Sequence, residues 1–184
     1  MSEVIKSEKL GKERISVLFQ DFLQLEGSLF ENVKIGWLDS KTQKQHIKES
    51  LESVNVDFLF DEDGDYAYEK YLGNWFEGGS QLSGGQWQKI ALARAFYKKA
   101  AVYFLDEPSS ALDANSELKI FERFFEKSAD RIGVFITHRI KVAKQADKII
   151  VLDQGRVVGI GNHNDLNENC ELYKDLLLKE QKLV

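Results

Sequence analysis

Residues 82 to 86 read Leu82-Ser83-Gly84-Gly85-Gln86, and twenty positions after Leu82 the chain runs Val102-Tyr103-Phe104-Leu105-Asp106-Glu107-Pro108. The first stretch sets a serine and two glycines at the head of a helical pattern. Unpaired backbone N–H groups and the positive end of the helix dipole would face a phosphate there. The second is an apolar strand that ends in two adjacent carboxylates, one suited to holding Mg²⁺ and one to polarising a water. In this order and at this distance, the two stretches point to nucleotide phosphate chemistry.

Working outward, four short β-rich apolar runs recur at Ile15–Phe19, Ala101–Leu105, Gly133–Ile136 and Lys148–Leu152. They alternate with longer segments of helical period, which predicts an α/β fold on a mostly parallel sheet. Trp87, Ile90, Ala91, Leu92, Ala95 and Phe96 form a broad apolar stripe behind the serine-glycine stretch. Glu117 to Lys127 reads as a second amphipathic helix, with Asp113, Asn115 and Ser116 as candidate caps. Asp153-Gln154-Gly155-Arg156 reads as a tight turn into Val157-Val158-Gly159-Ile160, a terminal hairpin. The segment between Ser28 and Gln81 is more polar, helical over Lys41 to Val54, and broken by Asp61-Glu62-Asp63-Gly64-Asp65. The expected division is an α/β core over residues 1–27 and 87–184, with 28–86 an inserted helical subdomain.

Bulk properties narrow the function classes. The 184 residues are 43% hydrophobic and 30% charged with a net charge of −5, a globular balance without a nucleic-acid footprint. Apolar runs such as Ile149-Ile150-Val151-Leu152 are strand-sized, far below the ~20 residues of a membrane span. The single cysteine, Cys170, has no internal disulfide partner, which fits a reducing, cytosolic setting. Asp61–Asp65 fails the calcium-loop spacing, since Tyr66 and Leu72 stand where Gly and Glu are needed. Trp37, Trp75 and Trp87 are expected to be packing residues.

In open α/β sheets, ligands bind outside the carboxyl ends of the strands. The run from Ile15 ends in Gln20, the run from Val102 in Asp106 and Glu107, and the run from Val134 in Thr137-His138. Three strands therefore deliver Gln, Asp/Glu and His toward one edge.

These residues resemble the nucleotide-binding domain of an ABC transporter, a P-loop NTPase-like fold. Gln20 in Val17-Leu18-Phe19-Gln20-Asp21 is similar to the Q-loop and Leu82–Gln86 to the signature sequence. Leu105-Asp106-Glu107-Pro108 is similar to the Walker B motif, Ser110-Ala111-Leu112-Asp113 to the D-loop, and His138 to the switch histidine. The stretches Gly79–Lys89 and Leu18–Phe22 are most similar to lantibiotic exporters. The resemblance implies ATP and Mg²⁺ as ligands. Asp106 and Gln20 would hold the metal, Glu107 would act as general base, and His138 would contact the γ-phosphate. Gln20 would also couple the attacking water to a transmembrane partner. Ser83, Gly84, Gly85 and Gln86 would bind the γ-phosphate of nucleotide on a second nucleotide-binding domain, with Asp113 at the dimer interface. The implied location is the cytoplasmic face of the membrane, and the implied work is export of a lantibiotic-like peptide.

The phosphate-cradling pattern G-x-x-x-x-G-K-[ST] is not found upstream of Gln20. Gly11-Lys12 would require Gly and Ser/Thr where the chain has Lys6 and Glu13. The Walker A strand and loop are thus expected to lie outside this chain, with weak ATP binding by the chain alone. A non-catalytic half that lends only its signature to an intact partner is the alternative. A soluble ABC-type ATPase of DNA repair or chromosome organisation is disfavoured, because the 61 residues between Gln20 and Leu82 carry no sustained heptads.

Overall fold

All four apolar runs become strands in the computed structural model, which describes residues 14–38 and 44–181. Lys41 to Gln43, at the start of the expected helix, lie outside the described residues, as do Gly11 and Lys12. The chain divides into two compact units, Met1–Phe135 and Ile136–Val184. The helical stretch expected as a subdomain lies within the first of these units.

In the first unit, β1 (Ile15–Leu18) pairs in parallel with β2 (Val102–Asp106), in a register that sets Leu18 against Leu105. The strand β3 (Ile132–Ile136) follows on the other side of β2, giving the order β1-β2-β3. Helix α1 (Leu29–Lys34) and helix α2 (Lys44–Ser53) pack on the central helix α3 (Gly84–Tyr97). The stripe read from sequence explains this arrangement: Ile90, Leu92 and Ala93 are fully buried, and Ala91, Ala95 and Phe96 nearly so. The Ser16 hydroxyl donates to the Ala95 carbonyl at 2.7 Å, fixing β1 against α3. Helix α4 (Ala114–Ser128) presents Phe121, Phe124 and Phe125 to Phe135 of β3, with ring centroids 5.3 to 5.9 Å apart.

One face of this sheet carries those helices, and the alternate residues face the other way. Ile15 and Val17 of β1 and Ile132 and Val134 of β3 are all exposed. Pro108, the only proline, follows β2 and ends it, because it cannot donate to a ladder.

In the second unit, β4 (Ile149–Asp153) and β5 (Arg156–Gly161) form the expected antiparallel hairpin. Its two turn residues, Gln154 and Gly155, have φ of 46° and 74°, the paired positive values that let a two-residue turn follow the strand twist. Helices α5 (Ile140–Ala143), α6 (His163–Asn169) and α7 (Glu171–Gln181) complete it, burying Cys170 and Tyr173.

Among the described residues, no helix is long and apolar enough to cross a membrane, and no cluster of metal-ligand type is found. The Asp61–Asp65 loop is a local turn, its Asp61 carboxylate accepting from the amides of Asp63 and Asp65. Of the three tryptophans, Trp87 is buried and Trp37 packs on the core. Trp75 corrects the expectation, because its side chain is 83% exposed. The Trp75 amide donates to the Glu26 carboxylate at 2.8 Å, so the backbone is anchored while the ring points outward.

Candidate functional site

The carboxyl ends of β1 and β2 lie side by side because the two strands run parallel in register. Gln20 leaves β1 and Glu107 leaves β2 there, and the Gln20 amide Nε2 donates to Glu107 Oε2 at 3.3 Å. Asp106, the last residue of β2, and Glu107 are half-buried, while Gln20 is exposed. Glu107 has φ +44°, a left-handed conformation rare for a residue with a side chain and frequent at functional sites.

The turn after Glu107 is tied to α3. Gln88, buried in that helix, donates from Nε2 to the Glu107 carbonyl and to the Ser110 hydroxyl, each at 3.2 Å. Its Oε1 accepts from the Ala111 amide at 3.0 Å. At the head of the same helix, Gly85 lies so close that a Cβ would fall 2.6 Å from the Ala111 carbonyl oxygen. Only glycine allows that approach.

Ser83 caps α3 through a capping box: its hydroxyl accepts from the Gln86 amide at 3.3 Å, and the Gln86 side chain accepts from the Ser83 amide at 2.9 Å. The N–H groups of the first helical turn, which includes Gly84 and Gly85, have no intrahelical acceptor. Ser83 and Gly84 are exposed, and Gly85 and Gln86 half-buried. The first turn of α3 thus offers amide hydrogens and a hydroxyl to an anion.

Asp113 caps α4, its carboxylate accepting from the amides of Asn115 and Ser116 and from the Ser116 hydroxyl. These bonds, the hydroxyl first, pull its pKa down to about 2, so the exposed side chain is anionic at neutral pH. His138 follows β3 by two residues, is exposed, and belongs to the second unit. The expected meeting at one edge is therefore described for Gln20, Asp106 and Glu107.

A family model for the ABC transporter matches residues 2–110. The chain belongs to the ABC transporter family. It is 50% identical, over 89% of its length, to the subtilin transport ATP-binding protein SpaT of Bacillus subtilis. It is 43% identical, over 98% of its length, to the nisin transport ATP-binding protein NisT of Lactococcus lactis subsp. lactis. The chain spans 26% of the first of these relatives and 30% of the second. A bacterial Atm1-family ABC exporter solved with ATP bound superposes with a TM-score of 0.80 and 26% identity, covering 92% of this chain and 29% of its own. The α/β fold is accordingly that of an ABC exporter ATPase.

Motif reading did not find Gln88, Arg94 or Asn32. Arg94 donates from Nε to the Asn32 carbonyl, from Nη2 to Asn32 Oδ1 and from Nη1 to the Leu23 carbonyl. The available signal was polarity out of place. Gln88 and Arg94 interrupt an apolar helix, and a polar residue there must find partners.

Proposed function

We propose that this chain supplies the hydrolytic edge and the signature motif of an ATP-driven peptide exporter of lantibiotic type. The Gln20–Glu107 contact at the ends of two parallel strands carries this reading. Glu107 takes the role of general base, drawing a proton from a water aligned with the γ-phosphate, and Gln20 orients the carboxylate that does so. Asp106 and Gln20 fit the oxygen-donor chemistry of Mg²⁺, which when bound would neutralise developing phosphate charge. His138 would contact the γ-phosphate. Ser83, Gly84, Gly85 and Gln86 would present the first turn of α3 to nucleotide on a second nucleotide-binding domain, with Asp113 close to that contact. This head-to-tail arrangement would sit on a transmembrane partner at the cytoplasmic face of the membrane. The names of the subtilin and nisin relatives support a lantibiotic cargo.

The test is a chimera in which this chain replaces the matching region of the subtilin transporter, assayed for peptide export by producing cells. Export retained by the chimera and lost with Glu107→Gln is the expected result. Export lost with the unaltered chain, although the chimera is produced and folded, would refute the reading. A chimera that exports equally well with Glu107→Gln would refute the assigned role of the carboxylate.

A further inference from the structure

We propose that Gln88 is a positioning residue that couples the first turn of α3 to the orientation of the Glu107 carboxylate. The proposal rests on the functional reading above, in which these two places serve different nucleotides. Gln88 is 1% exposed, and its amide makes three bonds to the Glu107–Ala111 turn: to the Glu107 carbonyl, the Ser110 hydroxyl and the Ala111 amide. Nothing in an apolar helix face calls for a glutamine unless its partners are fixed, since each unmet group would be costly.

Two contacts therefore join α3 to that turn. Gly85 touches the Ala111 carbonyl at the helix head, and Gln88 holds both ends of the turn one helical turn further on. Glu107 stands at φ +44°, a conformation that persists only when its surroundings determine it. Its carbonyl is the group Gln88 grips, and the Ser110 amide also donates to that carbonyl. Displacing that carbonyl pulls on the Glu107 Cα to which it is bonded, and so carries the carboxylate toward or away from Gln20. An anion seated on the first turn of α3 shifts Gly85 and Gln88 together, because both belong to one continuous helix. Gln88 thereby passes occupancy of the signature turn to the chain's own catalytic carboxylate.

The experiment is side-chain amide NMR of Gln20 in the full 184-residue chain, with Gly85→Ala as the perturbation and Gln88→Met as the cut. Methionine keeps the length and volume of glutamine without its hydrogen bonds, so packing is spared. Gly85→Ala is expected to shift the Gln20 Nε2 resonances by more in the native background than beside Gln88→Met, where only the Gly85–Ala111 contact is left to carry the perturbation. Equal shifts in both backgrounds, or none in either, would overturn the coupling. A second arm measures ATP hydrolysis in the subtilin chimera. There Gln88→Met is expected to lower kcat at least tenfold with KM within twofold, and Glu107→Gln serves as the control. Turnover that survives Glu107→Gln counts against the functional reading. Turnover abolished by Glu107→Gln but untouched by Gln88→Met counts against the coupling alone.

Discussion

Arg94 and Asn32 are joined twice, by a 2.9 Å bond from Nε to the Asn32 carbonyl and a 3.0 Å bond from Nη2 to the Asn32 side chain. A third bond from the same guanidinium reaches the Leu23 carbonyl, three residues past Gln20. One side chain of α3 thus fastens both α1 and the segment that follows Gln20. Burial pulls the Arg94 pKa down, because removing the guanidinium from water disfavours its charged form.

Cutting this knot is expected to be expensive. Arg94→Met leaves Asn32, fully buried, short of its partners, and hydrogen bonds to charged groups contribute about 1.5–3 kcal/mol each in favourable settings. Urea denaturation of the chain should show a loss of about 2–4 kcal/mol with an unchanged slope. A loss below about 0.5 kcal/mol would mean that the bonds are incidental.

The two faces of β1 make a paired prediction. Leu18 is 4% exposed and Val17 41%, although they are neighbours in one strand. Leu18→Ala should cost about 2–5 kcal/mol, whereas Val17→Thr should change stability by no more than about 0.5 kcal/mol. Comparable losses for both would show that the outer face of the sheet is covered in the folded chain.

The same open face bears on the stability of the isolated chain. Ile15, Val17, Ile132 and Val134 keep their apolar surface in water, so their burial adds little to folding. Unfolding of the isolated chain should require less than about 5 kcal/mol, the low end of ordinary domains. A single cooperative urea transition above that value would contradict the expectation.

Acid sensitivity should report on the α4 cap. The Asp113 carboxyl lies below its ordinary 3.8, at about 2, so its contribution to stability is present above pH ~4 and disappears as the pH falls through about 2. Asp113→Asn keeps a capping side chain and removes the titration. The variant should show a flatter stability profile between pH 4 and 2, measured by thermal melts across that range. Superimposable profiles would remove Asp113 from the acid response.

Much of this was legible in the residue order. Hydrophobic period placed the strands within a residue or so, and Ser83, Asp113 and Gln154-Gly155 marked local ends by chemistry that acts over a few positions. Gln20 and Glu107 could be paired because two parallel strands must end at one edge. What stayed hidden depends on long-range partners. Nothing local says that Gln88 reaches a turn 19 residues away or that Arg94 reaches Asn32 over 62. Trp75 misled for the converse reason: an aromatic ring is usually buried, but here the loop backbone is what Glu26 holds.

The most direct measurement is the rate of ATP hydrolysis by the purified subtilin chimera carrying either Glu107 or Glu107→Gln. General-base catalysis contributes about 10²–10⁴-fold, so the variant should turn over ATP at least a hundredfold more slowly while still binding it. Equal rates for the two proteins would contradict the assignment of the hydrolytic edge to the meeting of β1 and β2.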